Sequence, residues 1–197
     1  MATQLSLWAA VTITAWFLTG VYFIVSMFLT RKIASKEAGA TRMGDRALIW
    51  GGYVLIFLDP LGQRLWHATF LAPRWREPAG VAGAVLAVAG LGYTCWARAS
   101  LGQYWSGIVA LKQDHKLVQS GPYRSVRHPL YTGLLAATAG AALAFGFWRS
   151  LLGAALLWAA FLSRARREDA LLGSQFGAEF DAYRAHTGRL LPRALSR

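Results

Sequence analysis

Charge is what this sequence has least of. Charged residues make up 15% of its 197 positions, where a soluble domain carries roughly a quarter. Acidic residues are scarcer still, with nine Asp and Glu against 21 Lys and Arg. The single cysteine, Cys95, excludes an intramolecular disulfide and a cysteine-built metal cluster. It lies in an apolar run and reads as packing. No P-loop, no G-x-G-x-x-G and no cluster of metal ligands occurs, so neither a nucleoside triphosphate nor a catalytic metal is expected. There is no internal repeat and no low-complexity tract.

What is abundant is apolar sequence, 55% of the chain, with the few charges confined to the stretches between runs. That distribution predicts an all-α integral membrane protein of about five transmembrane helices. The expected spans are Leu5–Leu29, a segment from Ala47, Ala79–Ala97, Pro129–Gly146 and Phe147–Ser163. No Lys or Arg precedes the first run, which is also too long for a signal core, so it reads as a span. The second meets Asp59-Pro60 and either stops there or kinks and continues to about Leu71. Only Arg149 interrupts the join between the last two, which leaves room for nothing but a tight helical hairpin. Small residues crowd the third and fourth spans (GVAGAVLAVAG, GLLAATAGAALAFG), where they let helices approach closely.

The net charge of +12 could suggest nucleic acid. However, the basic residues lie between apolar spans and form no continuous soluble face, so none is expected. Membrane topology accounts for them instead. With the N-terminus outside, segments 30–46, 98–128 and 164–197 face the cytoplasm with five, five and seven Lys/Arg, against four on the other side. The expected location is the inner membrane, with a cytoplasmic C-terminus and the chemistry on the cytoplasmic face.

Two of those cytoplasmic segments carry the polar residues with chemical potential. Segment 98–128 is too polar to span and reads as re-entrant or interfacial. Segment 164–186 places Leu172, Phe176, Phe180 and Tyr183 at helical spacing, an amphipathic helix. Arg164, Glu168 and Leu172 are four apart and share a face. The plainer reading of Arg164–Glu168 is a helix-surface pair worth a few tenths of a kcal/mol. A Glu heading an apolar face just after a span suggests more.

Residues 121–133 read GPYRSVRHPLYTG. His128 precedes Pro129, a residue suited to the first helical position, so the fourth span should begin at Pro129 with His128 at its cap. A helix N-terminus offers unpaired N–H groups and partial positive charge, which favour a bound anion. Arg124 and Arg127 add to that field. Tyr131 lies one turn further in, and Gly121-Pro122 turns Tyr123 toward the same mouth. Positive-inside anchoring explains Arg124, but an anchor needs no histidine pinned by a proline. The cluster would suit a ligand with an anionic end and a flat ring.

The string LGQYWS…HKLVQSGPYRSVRHPLYTG, followed by R-x-x-x-E-D-x-x-L and FGAEFDAYRAHTGRLLP, resembles the isoprenylcysteine carboxyl methyltransferase family over roughly residues 95–192. Its wider group includes membrane phospholipid N-methyltransferases. The resemblance implies a membrane enzyme that uses S-adenosylmethionine in a cytoplasmic pocket, with a lipophilic or prenylated acceptor arriving from the membrane lipids. It implies that His115, Leu117 and Val118 line the cofactor, that Gly121 and Tyr123 shape the turn, and that Arg127, His128, Pro129 and Tyr131 hold the cofactor's adenosine or amino-acid end. Arg164 and Glu168 would then sit at the reacting end. Asp169 stands where the family often has Glu, and its shorter side chain argues against a direct ligand role. The N-terminal two spans show no such match and are where substrate choice could differ, so the expected organisation is a three-span, substrate-selecting region over 1–97 and a methyltransferase core over 98–197.

A carboxylate acceptor is ionised near neutral pH and needs no base, only a cation such as Arg164 to hold it. A thiol or amine acceptor would need deprotonation, with His115 or Glu168 as candidates. Phospholipid N-methylation and small-thiol S-methylation therefore stay open beside carboxyl methylation. An NADPH-dependent sterol-type reductase predicts more spans than five. A non-catalytic scaffold or transporter would place its polar residues at mid-membrane.

Overall fold

Six helices and one short strand pair make up the described part of the chain. The computed structural model describes residues 6–30, 33–36, 39–58, 68–105, 110–112 and 116–193, with 33–36, 39–42 and 110–112 by backbone only. His115 and Asp59-Pro60 lie outside the described residues. The elements are α1 (Leu7–Met27), β1 (Ile33–Lys36), α2 (Gly39–Phe57), α3 (Pro73–Leu101), β2 (Ala110–Lys112), α4 (Pro129–Phe145), α5 (Trp148–Phe176) and α6 (Ala178–His186).

Helices occupy each place where a span is expected. Two of them, Leu7–Met27 and Pro73–Tyr104, are long and apolar enough to cross a membrane by length and composition. The apolar α4 is shorter, at 17 residues. Phe17, Leu18, Ile24, Val25 and Phe28 on and just past α1 are exposed, as lipid-facing side chains are and side chains bathed in water seldom are.

The tightest packing joins α3 to α4. A Cβ built on Gly140 would stand 2.5 Å from the Ala87 nitrogen, and one on Gly90 would stand 2.6 Å from the Gly133 carbonyl. Backbone therefore touches backbone along the small-residue stripes, the contact expected of them. Arg98, almost wholly buried at the end of α3, donates to the Ser26 carbonyl at 2.6 Å and to the Gly102 carbonyl at 2.8 Å. Its guanidinium also stacks over Trp105 at 4.6 Å, which ties the foot of α1 to α3. On the other flank, α2 packs along α5. Arg149 caps it there by donating to the Leu55 and Ile56 carbonyls at 2.7 and 3.1 Å.

Four expectations change. First, one short strand pair accompanies the all-α architecture. β1 and β2 pair antiparallel with Ile33 opposite Lys112, so the loop after α1 and the polar segment before α4 satisfy each other's backbone groups. Second, α2 begins at Gly39 rather than Ala47, because the charges at 42–46 are good helix formers apart from Asp45. It stops at Phe57, and residues 68–71 do not continue it: Phe70 donates to Gly146 and Trp148 to Ala68, which binds this stretch to the α4–α5 turn. Third, α3 starts at Pro73, not Ala79, with proline in its first turn. Fourth, the amphipathic 164–186 helix is not one separate element. α5 runs unbroken from the apolar segment through Arg164 to Phe176, and the break falls at Gly177, whose φ of 49° ends the helix.

Candidate functional site

The head of α4 forms as the proline dictates. Pro129 is the first helical residue and His128 the cap, with φ −123°. The preceding turn, Gly121–Arg124, is a 3-10 turn whose Gly121 has φ 59°. The tail after α6 then returns to this corner. Arg127 and His128 donate backbone N–H groups to the Gly188 and Arg189 carbonyls at 2.8 and 3.0 Å. Tyr183 hydroxyl donates to the Tyr123 carbonyl at 2.7 Å, and Thr132 hydroxyl to Leu190 at 2.6 Å. Turn, helix head and tail thus form one corner, against which α5 presents Arg164, Glu168 and Asp169.

His128 lies between two carboxylates. Its Nε2 is 2.8 Å from Asp169 Oδ1, and its Nδ1 is 3.3 Å from Glu168 Oε2. Burial acts to lower its pKa, but the hydrogen bonds and charges of Asp169 and Glu168 outweigh it, and the net direction is up. A protonated ring donates to both carboxylates at once. Glu168 also accepts a 2.5 Å hydrogen bond from the Tyr131 hydroxyl. The rings of His128, Tyr131 and Phe161 stack in sequence, with centroids 5.8 and 5.4 Å apart and planes within 20°. The Arg164 guanidinium carbon lies 5.9 Å from the Tyr131 ring centroid.

Asp169 is the hub. Besides His128, it accepts from Arg127 Nε and Nη2 at 3.3 and 3.4 Å and from Arg189 Nε at 2.8 Å. Its side chain is 8% exposed. Burial alone would raise its pKa, yet His128, Arg189 and Arg127 together hold it well below the usual carboxylate range. Arg127 also donates to the Thr187 carbonyl at 2.6 Å. On the other flank, Arg167 bonds Ser163 and pairs with Asp45 of α2.

The residues expected from sequence fall into three groups. His128, Tyr131, Arg164 and Glu168 come together, with Pro129 buried behind them. Tyr123 is buried beneath the turn, and burial, with the Glu168 charge adding to it, pushes its hydroxyl pKa up. Val118 packs on the core, and Leu117 is half-buried beside it. Arg127 faces Asp169 and Thr187 rather than the stacked rings, while Arg124 is exposed. Sequence reasoning undervalued Asp169 and missed Arg189, Thr187 and Asp45. Only the acidic doublet at 168–169 signalled any of them, since the other contacts span 20 to 122 positions.

This geometry can hold a zwitterionic or cationic ligand. Glu168 keeps 24% of its side chain exposed, so a carboxylate is reachable beside buried rings, with a guanidinium one helical turn away.

Comparison with known proteins adds to this. A model of the isoprenylcysteine carboxyl methyltransferase (ICMT) family matches residues 83–174. The chain is similar to Protein-S-isoprenylcysteine O-methyltransferase of Schizosaccharomyces pombe, 42% identical over 86 residues, covering 42% of this chain and 36% of the relative. It therefore spans about a third of that protein's length. Cobalt-zinc-cadmium resistance protein CzcN of Cupriavidus metallidurans is 30% identical over 181 residues, 81% of this chain and 72% of the relative. Uncharacterized protein YpbQ of Bacillus subtilis is 31% identical over 98 residues, 49% of this chain and 55% of the relative.

Proposed function

The chain belongs to the isoprenylcysteine carboxyl methyltransferase family, and from that membership we propose an S-adenosylmethionine-dependent membrane methyltransferase that esterifies the carboxylate of a lipophilic, isoprenylcysteine-like acceptor. One observation carries the reading: Tyr131, His128, Glu168 and Arg164 converge where the apolar α4 begins. The name of the fission yeast relative supports the acceptor class.

The donor set fits the cofactor. Glu168, whose carboxylate is reachable, suits a sulfonium or an ammonium group, while Tyr131, stacked between His128 and Phe161, braces that carboxylate through its hydroxyl. Leu117 and Val118 would close the apolar side. Bound S-adenosylmethionine supplies an already activated methyl group, whose transfer to a carboxylate oxygen breaks the sulfur–carbon bond and moves no proton. Arg164 holds the acceptor carboxylate. Glu168, fixed by the Tyr131 hydroxyl and His128, presents its carboxylate where a cation must sit. Positioning and exclusion of water are the protein's main contributions to such a displacement. The acceptor's apolar chain lies among the lipid-facing helices. No base is required, in keeping with a His128 that is engaged with two carboxylates.

The test is methyl transfer from labelled S-adenosylmethionine by the full chain in detergent. A farnesylated cysteine analogue with a free carboxyl, its methyl ester, phosphatidylethanolamine and a small thiol serve as parallel acceptors. Label on the free acid and not on the ester supports carboxyl methylation. Label only on the amine or thiol overturns the acceptor and keeps the cofactor site. No label and no binding of S-adenosylhomocysteine refutes the methyltransferase reading.

A further inference from the structure

Beside the ring cluster, on the tail side of Asp169, lies a cavity of about 530 Å³. Its walls include Arg127, Arg184, Thr187, Arg189 and Arg193, together with Asp181. None of His128, Tyr131, Arg164 or Glu168 lines it, whereas Arg127, Thr187 and Arg189 do, so it lies on the far side of the Asp169 cluster from the stacked rings. The volume falls within the range of small-ligand pockets, about 300–1,000 Å³.

Charge selects what would enter. Leaving Arg193 aside, three guanidinium groups on the wall, Arg127, Arg184 and Arg189, stand against two carboxylates, Asp181, 3.2 Å from Arg184, and Asp169, held by Arg127 and Arg189. Positive charge remains in excess. Donors remain as well: Arg189 commits its Nε to Asp169 and Arg184 one Nη to Asp181, while a guanidinium carries five N–H groups. Arg127 is buried and pinned by Thr187, so part of the wall is rigid, whereas Arg184 and Arg189 are exposed enough to turn toward a ligand. Several arginine forks around one concavity match the tetrahedral oxygens of a phosphate better than a lone carboxylate.

Place matters too. Arg127 is two residues before Pro129, where α4 begins, so the cavity lies level with the end of an apolar helix. Basic pockets at that level meet the headgroups of anionic lipids. We propose that this cavity binds a phosphate group, from either an anionic lipid headgroup or a free phosphate. The proposal stands apart from the methyl-transfer reading.

The full chain, purified in phosphate-free detergent, is titrated with inorganic phosphate by calorimetry. In parallel it is placed in nanodiscs of phosphatidylcholine with and without phosphatidylglycerol, and retained lipid is counted by native mass spectrometry. The double variant Arg184→Gln/Arg193→Gln removes two lining cations and leaves Arg127 and Arg189, which bind Asp169, in place. It should lose at least tenfold in phosphate affinity or in phosphatidylglycerol retention, with the detergent-unfolding midpoint unchanged as the check on folding. Asp181→Asn should tighten the same binding severalfold. Retention of phosphatidylglycerol without phosphate binding assigns the lipid; phosphate binding with no lipid preference assigns the free anion. Binding of neither, or binding unchanged in the double variant, overturns the proposal.

Discussion

Replacing Asp169 by Asn removes one charge and almost no volume, so the effect reads the charge alone. Asp169 accepts from His128 at 2.8 Å, from Arg189 at 2.8 Å and from Arg127 at 3.3 and 3.4 Å. Two of these partners are themselves buried, Arg127 at 9% and His128 at 5% exposure. Breaking a buried pair by removing one partner costs about 3–5 kcal/mol, because a charge is left uncompensated. The lower end applies, at about 3 kcal/mol. Arg127 keeps the Thr187 carbonyl, His128 keeps Glu168, and Arg189, with 43% of its side chain exposed, can move into water. Asp181→Asn is the control, since that carboxylate is exposed and has one i,i+3 partner, an arrangement worth about 0.2–0.5 kcal/mol. Unfolding by a graded anionic detergent, followed through the nine tryptophans, gives both values on one scale. A loss below about 1 kcal/mol in Asp169→Asn, in the range of an exposed pair, or a loss equal to that of Asp181→Asn, would refute the hub.

Three further outcomes follow from the same geometry. The pH dependence of stability has two limbs of opposite sign. Asp169, lowered in the fold, contributes fully above its unfolded value of about 3.9 and loses that contribution as pH falls. His128, raised in the fold, contributes fully below about 6.5 and loses it as pH climbs through its folded value. Detergent-unfolding midpoints should therefore peak between about pH 4 and 6.5, and the alkaline decline should vanish in His128→Gln. Gly140→Ala drives a methyl into the Ala87 backbone at 2.5 Å and should cost at least the 1–3 kcal/mol of overpacking, about 3. Gly92→Ala, with nothing within 4 Å, should be neutral or stabilise by up to about 1 kcal/mol; equal effects in the two would deny the close α3–α4 contact. Tyr131→Phe keeps the stack on Phe161 and deletes the hydroxyl that holds Glu168. S-adenosylhomocysteine affinity should fall about tenfold, the low end for a hydrogen bond to a charged group, with the unfolding midpoint shifting little. Unchanged affinity would detach Glu168 from the cofactor.

Local chemistry made part of this legible from sequence. Pro129 fixes where α4 starts, and a join holding one arginine admits only a hairpin. Both follow from constraints within a few residues. The continuity of α5 is not visible in the same way. A hydropathy change at Ser163 looks like a boundary, yet Ala, Leu, Arg and Glu are all good helix formers, so the backbone has no reason to stop when the environment changes. The stop comes instead at Gly177, where φ turns positive. Asp169 was discounted for its short reach. That reasoning holds for a ligand across the pocket but not for a residue whose partners come to it, two from the corner before α4 and one from the tail. The β1–β2 pair was hidden because neither strand is longer than four residues, too short for alternation to register.

Because α5 is one rod of 29 residues, about 43 Å at 1.5 Å per residue, its apolar end and its charged end cannot tilt independently. A displacement of the apolar end is carried along the rod as tilt. That tilt would swing Glu168 and Asp169 as a lever swings its short arm. His128, Arg127 and Arg189 resist the swing, since they bind the rod to the head of α4 and to the tail. The three cations around Asp169 thus set how much of any movement at the apolar end of α5 reaches the carboxylate pair.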